Sequence, residues 1–193
     1  MRTIIDAAGF EAKFQENIDP WNYAASPFEA YKRRALLRAA GDRIYGRALE
    51  LACANGETTR ALAPQCLRLL AVDASPTVLK GARNASKGYN RVTFRLALLP
   101  RATPRGPFDL IVASEIFYYL KPGDLRRLLP KLYRSLAPGG RLVVLHHIRD
   151  FDDAAILPRI AQRQAFKTFQ KNMNLVTYKQ MAAFQVAAFE KKR

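Results

Sequence analysis

Two acidic residues and a turn of small residues lie close together in the first half of the chain. Glu50 lies in an apolar segment at residues 47–52, an alanine-rich turn follows as far as Gly56, and Asp73 ends the next apolar segment. Small residues let the backbone approach a ligand closely, and a carboxylate at the end of a neighbouring strand can accept hydrogen bonds from both ribose hydroxyls. This spacing predicts a loop that binds a cofactor containing a nucleoside.

A second group of polar residues follows two later apolar segments. Ser114 and Glu115 come directly after residues 108–113, and His146 and His147 end a later segment. The carboxyl ends of parallel strands meet at one edge of a sheet, where ligands bind. These residues are therefore expected at the same edge as the cofactor loop, and strand alternation allows at most one of the two histidines to face the site.

The elements that must position these residues alternate between strands and helices. The predicted strands lie near residues 48–52, 67–72, 92–96, 108–113, 141–145, 174–179 and 184–190. Helices are predicted from Pro27 to Gly41, from Glu57 towards Ala63, from Ser75, from Leu125 to Leu136, and across residues 154–169. This alternation indicates an α/β fold with a seven-stranded, mostly parallel sheet covered by helices on both faces, and the last two strands are predicted to form an antiparallel hairpin.

Capping residues locate the first of these helices. Ser26, Pro27 and Glu29 match an N-cap, a first-turn proline and a capping-box glutamate, which predicts a helix start near Pro27. Pro130 lies inside a later helix and predicts a kink or a late start there, because proline lacks the backbone donor. A turn at residues 137–140 is expected to stop that helix before the fifth strand.

Length and composition indicate a single domain over residues 1–193. Hydrophobic residues make up 49% of the chain, enough for a substantial core, and the longest apolar runs are far too short to cross a membrane. The N-terminus lacks the apolar segment of a signal peptide, so a cytoplasmic protein without membrane insertion is expected. Cys53 and Cys66 have no metal-ligand spacing, so we expect buried thiols and no metal site.

The formal net charge of +16 is the unusual feature of the composition. Such a charge favours an anionic partner, but the lysines and arginines are spread along the chain, and no aromatic RNA-binding signature accompanies them. Dispersed charge is more typical of a solvated surface. A nucleic-acid partner is therefore a secondary hypothesis.

The order of these parts resembles the class I S-adenosylmethionine-dependent methyltransferases over about residues 19–190. In that family an acid and a glycine-rich turn approach the methionine part of the cofactor, an acid after the second strand binds the ribose, and a final hairpin supplies an antiparallel strand. Residues 50–56, Asp73 and the turn at residues 136–140 occupy the corresponding places. The resemblance implies a Rossmann-like methyltransferase fold, with S-adenosylmethionine as cofactor and S-adenosylhomocysteine as its product.

The resemblance also assigns residues to the cofactor. Residues 1–42 are expected to be a segment and helix that cover the cofactor, and residues 43–193 form the core. The expected cofactor contacts are Trp21, Tyr23, Lys32, Glu50, Ala52, Gly56, Asp73, Ala74, Leu98 and Ser114. Alanines at positions 52 and 54 replace the first glycines of the loop, which must then adopt dihedral angles that alanine tolerates. Leu98 stands where many relatives have an acid, so adenine must rely on apolar contacts and backbone groups.

A narrower resemblance is to the nodulation protein S (NodS) family. It rests on residues 19–23, 26–29 and 114–120. That family makes nodulation oligosaccharides by N-methylating the free amine of the non-reducing glucosamine in a partly deacetylated chito-oligosaccharide. It also has a basic residue, three positions after the first helix's glutamate, that contacts the cofactor's carboxylate. Lys32 occupies that position as a point charge, and the resemblance implies a small-molecule acceptor of the amino-sugar or saccharide class.

An amine acceptor needs a protein group that binds its ammonium, lets it lose a proton and aims the nitrogen lone pair. Glu115 is the candidate for this catalytic role; the alternative is that it caps a turn or holds the cofactor. Tyr118 and Tyr119 are candidates for a wall against the saccharide rings, or else ordinary packing residues. His146 is a candidate for contact with the acceptor, or else a histidine whose hydrogen bonds are satisfied inside the protein.

Two other functions stay open on the sequence alone. The basic charge favours an RNA- or protein-directed methyltransferase, and the altered glycine loop favours a protein that binds the cofactor without catalysis. A Rossmann dehydrogenase fits less well, because the proline-glycine turn before the fifth strand, the N-terminal segment and the terminal hairpin have no place in it.

Overall fold

Six α-helices and seven β-strands alternate along most of the described chain. The computed structural model describes residues 4–193, so the first three residues of the predicted domain and cofactor cover lie outside the described residues. The elements are α1 (Ala7–Glu16), α2 (Pro27–Ala40), β1 (Ala48–Leu51), α3 (Glu57–Leu62), β2 (Leu69–Asp73), α4 (Pro76–Ala85), β3 (Val92–Leu96), β4 (Phe108–Ser114), α5 (Pro122–Ser135), β5 (Leu136–His147), α6 (Pro158–Gln170), β6 (Met173–Gln180) and β7 (Phe184–Lys191).

The seven strands form one sheet in the order β3-β2-β1-β4-β5-β7-β6. Strands β1 to β5 pair in parallel, whereas β7 runs antiparallel to both β5 and β6. The predicted α/β fold, with its mostly parallel sheet and C-terminal hairpin, is confirmed. The strand order reverses between β1 and β4, and the crevice beyond the carboxyl ends of such strands is where open α/β sheets bind ligands.

Strand β4 illustrates how both faces of the sheet are covered. Leu110 and Val112 belong to the buried cluster that contains Leu36 of α2. Ile111, which points to the opposite face, belongs to the cluster that contains Leu128 of α5. Burial on both faces explains why this strand is a continuous apolar run in the sequence.

Local sequence signals place most helix boundaries. The Ser26 hydroxyl accepts a hydrogen bond from the Glu29 amide at 3.4 Å, and Pro27 is the first residue of α2, as predicted. In contrast, α5 begins at Pro122 and continues through Pro130, so the late start expected from that proline does not occur. The predicted turn at residues 137–140 is part of β5, which shifts its register against β4 at this point.

Helix α1 is absent from the sequence-based prediction. Its N-cap is Asp6, whose carboxylate accepts a hydrogen bond from the Gly9 amide at 3.0 Å. Glu11 anchors the helix over the start of α4, because its carboxylate accepts hydrogen bonds from the hydroxyls of Ser75 and Thr77. The N-terminal segment is therefore held across the carboxyl edge of the sheet.

Both cysteines are free and buried, as expected. Within residues 4–193, no helix is long and apolar enough to cross a membrane. In the same part of the chain, no group of three or more His, Cys, Asp or Glu side chains is arranged to hold a metal ion.

Candidate active site

The loop after β1 adopts a backbone that glycine normally provides. Ala52, Ala54 and Gly56 have φ angles of 52°, 46° and 80°. The two alanines therefore keep the left-handed conformation of the glycines that they replace, at a cost of roughly 1–2 kcal/mol each. The Cys53 amide donates to the Val72 carbonyl at 3.0 Å, and this bond to β2 helps to hold the loop in place.

Asp73 holds the same loop from the end of β2. Its two carboxylate oxygens accept hydrogen bonds from the amides of Ala54 and Ser75, each at 3.0 Å. Burial raises the pKa of Asp73, while these backbone donors act in the opposite direction. Each carboxylate oxygen can accept more than one hydrogen bond, so both keep capacity for ribose hydroxyls.

Glu50 lies below the loop and is only 3% exposed. It accepts a hydrogen bond from the Thr59 hydroxyl at 2.5 Å. Burial raises the pKa of Glu50 to about 8. The side chain is therefore mostly protonated at neutral pH and can donate a hydrogen bond as well as accept one.

A cavity of about 1220 Å³, counting its open mouth, lies between this loop and the N-terminal helices; we call it the first cavity. The sequence-predicted cofactor residues that line it are Trp21, Tyr23, Lys32, Glu50, Ala52, Asp73, Ala74, Leu98 and Ser114. Gly56 does not line it and instead supplies the left-handed N-cap of α3. The residues fit S-adenosylmethionine, because Asp73 offers acceptors for a ribose while Leu98 and Leu99 offer apolar surface for adenine.

Aromatic side chains of α1 cover this cavity. The rings of Phe10 and Phe14 lie 5.9 Å and 5.6 Å from that of Trp21, and Phe10 also meets Tyr119 edge-on at 4.7 Å. Lys13 of the same helix pairs with Asp153 at 3.4 Å. The sequence-based prediction did not include Phe10 and Phe14. The available signal was their spacing of four residues, which places both on one face of a helix capped by Asp6.

Glu115 and Lys32 form a buried ion pair at the end of β4. Glu115 has a φ of 54°, and its carboxylate accepts hydrogen bonds from the Lys32 ammonium at 2.8 Å, from the His147 amide at 3.0 Å and from the Tyr118 hydroxyl. Burial favours a higher pKa, but the Lys32 charge and the His147 amide outweigh it and hold the pKa of Glu115 below its usual value. Glu115 is therefore a carboxylate at neutral pH.

Lys32 has a second carboxylate partner in Glu29. The distances from its ammonium nitrogen to Glu29 and Glu115 are both 2.8 Å, and its side chain is 8% exposed. Burial disfavours the charged lysine, yet the two carboxylates raise its pKa above the usual value. The expected contact of Lys32 with a cofactor carboxylate would have to compete with both of these partners.

The two tyrosines after β4 have different environments. Tyr118 is 4% exposed and donates its hydroxyl hydrogen bond to Glu115. Tyr119 lines both the first cavity and a second cavity described below. Tyr119 therefore presents surface to both cavities, whereas Tyr118 mainly holds Glu115.

The structure corrects the expectation that His146 contacts the acceptor. His146 is fully buried, its Nε2 accepts a hydrogen bond from the Phe117 amide at 3.1 Å, and its Nδ1 lies 2.8 Å from the Gln162 side-chain oxygen. Burial lowers the pKa of His146 to about 4, so the ring is neutral and both nitrogens are bonded. Because side chains alternate along a strand, the adjacent His147 lines the second cavity instead.

The second cavity, of about 1050 Å³ counting its open mouth, opens beside Glu115. Its lining includes four carboxylates and several aromatic rings: Trp21, Tyr23, Phe28, Glu29, Lys32, Glu115, Tyr118, Tyr119, His147, Phe151, Asp152 and Asp153. The segment Phe151 to Asp153 was missed by sequence reasoning, since it lies in an irregular connection between β5 and α6 without a recognisable motif. Glu29, Lys32 and Glu115 line both cavities and mark their junction.

Comparisons with known proteins agree with this arrangement. Residues 49–142 match a family described as a methyltransferase domain. Nodulation protein S of Rhizobium tropici is 36% identical over 128 residues, covering 65% of this chain and 53% of that protein. Demethylmenaquinone methyltransferase of Tropheryma whipplei (strain Twist) is 31% identical, covering 60% of this chain and 48% of that protein. The chain thus spans about half the length of these curated relatives.

A solved structure matches nearly the whole chain. The crystal structure of N-methyltransferase NodS from Bradyrhizobium japonicum WM9 in complex with S-adenosylhomocysteine superimposes with a TM-score of 0.83 and 25% sequence identity, covering 98% of this chain and 100% of that one. Together with the matching domain and the loop, acid and cavity described above, these similarities support a class I S-adenosylmethionine-dependent methyltransferase that is similar to NodS.

Proposed function

We propose that the chain N-methylates an amine on a small acceptor of the amino-sugar or chito-oligosaccharide type, using S-adenosylmethionine. The observation that carries this proposal is the position of Glu115, an ionised carboxylate at the junction of the two cavities. Similarity to an N-methyltransferase that binds S-adenosylhomocysteine supports it.

In the first cavity, this chain's residues bind and orient the cofactor. S-adenosylmethionine supplies an electrophilic methyl group on its sulfonium. Asp73 would hold the ribose, Leu98 would offer apolar surface to adenine, and Ser114 would contact the methionine part, since all three line the first cavity. Glu50, mostly protonated in its buried position, supports the loop through Thr59.

The acceptor side is acidic in a strongly basic protein. Among residues 4–193, four of the 16 acidic residues line the second cavity, namely Glu29, Glu115, Asp152 and Asp153, and Lys32 is the one lysine or arginine in its described lining. A cavity lined by one sign of charge concentrates ligands of the opposite sign. An ammonium group fits this lining, whereas a phosphate-rich acceptor such as RNA is repelled.

The lowered pKa of Glu115 defines its role. A carboxylate that resists protonation is a weak proton acceptor but a strong partner for an ammonium. Glu115 therefore acts mainly by binding and aiming the amine, while His147 Nε2 or Nδ1 and water in the open cavity receive the proton. Burial lowers the pKa of His147, so its ring is neutral at pH 7 and able to accept one.

Aromatic rings beside this carboxylate support a saccharide acceptor. Tyr119 and Phe151 line the second cavity with centroids 6.0 Å apart, and Trp21 lies at its edge. Such rings pack against the apolar faces of pyranose rings, while carboxylates such as Asp152 accept hydrogen bonds from sugar hydroxyls.

Purified protein, S-adenosylmethionine and a panel of acceptors test the proposal. A de-N-acetylated chito-oligosaccharide should gain a methyl group on its free amine, detected by mass spectrometry, whereas the fully N-acetylated oligosaccharide should not react. Methylation of a different amine would overturn the saccharide assignment and keep the methyltransferase. Binding of S-adenosylhomocysteine with no turnover on the whole panel would instead favour a cofactor-binding protein without catalysis.

The net charge of +16 keeps an RNA acceptor as the competing function. Its test is a binding assay with structured RNA at physiological ionic strength, followed by methyl transfer to the bound RNA. Methylated RNA would favour the competing function, while weak binding that disappears with added salt would be non-specific phosphate attraction.

A further inference from the structure

The two cations that line the first cavity differ in how closely carboxylates surround them. Among the described residues that line it, Lys32 and Arg33 are the two cations. Lys32 already contacts Glu29 and Glu115, both at 2.8 Å, on the side that opens to the second cavity. Two carboxylates neutralise its charge, and a third would have to displace one of them.

Arg33 has much weaker contacts. Its guanidinium donates to the Tyr23 carbonyl at 3.4 Å, and its nearest carboxylate oxygen, on Glu57, is 3.9 Å away. The other oxygen of Glu57 accepts a hydrogen bond from Arg60 instead. A guanidinium has five N–H donors, so most of those on Arg33 are free of close partners within the described residues. Its side chain is 16% exposed, which leaves the charge only partly screened by solvent.

We infer that Arg33, and not Lys32, binds the α-carboxylate of the cofactor's amino-acid part. A planar guanidinium can bind a carboxylate with two parallel hydrogen bonds, which the ammonium of lysine cannot do. Two adjacent residues of α2 therefore have different roles. Arg33 serves the cofactor, and Lys32 holds Glu115 and Glu29 beside the acceptor.

Calorimetry with two ligands tests this division. S-adenosylhomocysteine has the carboxylate, whereas 5′-methylthioadenosine keeps the adenosine and thioether but lacks the amino-acid group. Arg33→Met should weaken S-adenosylhomocysteine binding by about 10- to 100-fold, and should change 5′-methylthioadenosine binding by less than about threefold. Arg33→Lys should recover part of the loss, because it restores the charge without the bidentate geometry.

Two matched variants on the same helix serve as controls. Arg34 is exposed and does not line the cavity, so Arg34→Met should leave both affinities unchanged. Lys32→Met should weaken S-adenosylhomocysteine binding less than Arg33→Met does. The inference is overturned if Lys32→Met causes the larger loss, or if Arg33→Met binds S-adenosylhomocysteine normally. It is also overturned if Arg33→Met weakens both ligands equally, since that result would indicate a structural role.

Discussion

The two cavities that meet at Glu115 are built in different ways. In the first, the loop at residues 52–56 is held over a short stretch of sequence, by backbone hydrogen bonds and by Asp73, 19 residues away from Ala54. The second is assembled from α2, the end of β4 and the segment after β5, and its ion pair joins residues 83 positions apart. Binding of a common cofactor can therefore rest on local sequence, whereas acceptor choice depends on how distant segments pack.

The largest effect should come from the residue that joins the two cavities. Glu115→Gln keeps the shape of the side chain but removes the charge proposed to bind an ammonium, so kcat for methyl transfer should fall by about 100- to 1000-fold. S-adenosylhomocysteine affinity should stay within a few-fold of the wild type, measured by calorimetry. An equal loss of cofactor affinity would mean that the two cavities are not functionally separate.

A substitution of Asp73 is the counterpart of Glu115→Gln in the first cavity. Asp73→Ala removes the proposed ribose acceptor and the partner of the Ala54 amide, so S-adenosylhomocysteine affinity should fall by about 100-fold. Asp73→Asn, which keeps one acceptor oxygen, should lose less. Unchanged tight binding of the alanine variant, with normal thermal unfolding, would contradict the ribose assignment.

A smaller effect is expected at the rim of the second cavity. Asp152 is exposed, so Asp152→Asn should raise KM for a cationic acceptor by about three- to tenfold without changing kcat. The difference should shrink as salt is added, because solvent screens a rim charge. Asp150, also exposed but not part of the cavity lining, provides the matched control, and an equal effect of Asp150→Asn would point to general surface charge.

A pH-dependent effect on stability, and not on catalysis, is expected from Glu50, the buried acid of the first cavity. Burial raises the pKa of Glu50 to about 8, so the folded state holds a proton that the unfolded chain loses near pH 4.5. This contribution to stability is complete below pH 4.5 and declines as pH rises towards 8. Glu50→Gln should therefore gain about 3 kcal/mol of unfolding free energy relative to the wild type as the pH rises from 5 to 8, measured by urea unfolding. If the difference in unfolding free energy between the variant and the wild type did not depend on pH, the raised pKa of Glu50 would be contradicted.

Sequence patterns predicted the sheet, the hairpin and the α2 cap because each depends on neighbouring residues. They also predicted that Asp73 and Glu115 lie at the same edge of the sheet, since strand ends of a parallel sheet converge there, while the roles of both residues stay predictions. The sequence could not show whether His146 or His147 faces the cavity. Alternation along a strand sets which residues share a face of the sheet, but not which face meets the site. Helix α1 was missed since its stability depends on Glu11 reaching Ser75, a contact across 64 residues.

By itself, the amino-acid sequence determined the α/β architecture, the small-residue loop after β1 and the acid that ends β2. These features follow from hydrophobic periodicity and from turns whose geometry is local. Only the tertiary structure decided that Lys32 pairs with Glu115, that His146 is buried and that Asp152 and Asp153 line the second cavity. Those relations depend on electrostatic and packing contacts between distant segments, and such contacts exist only once the chain has folded.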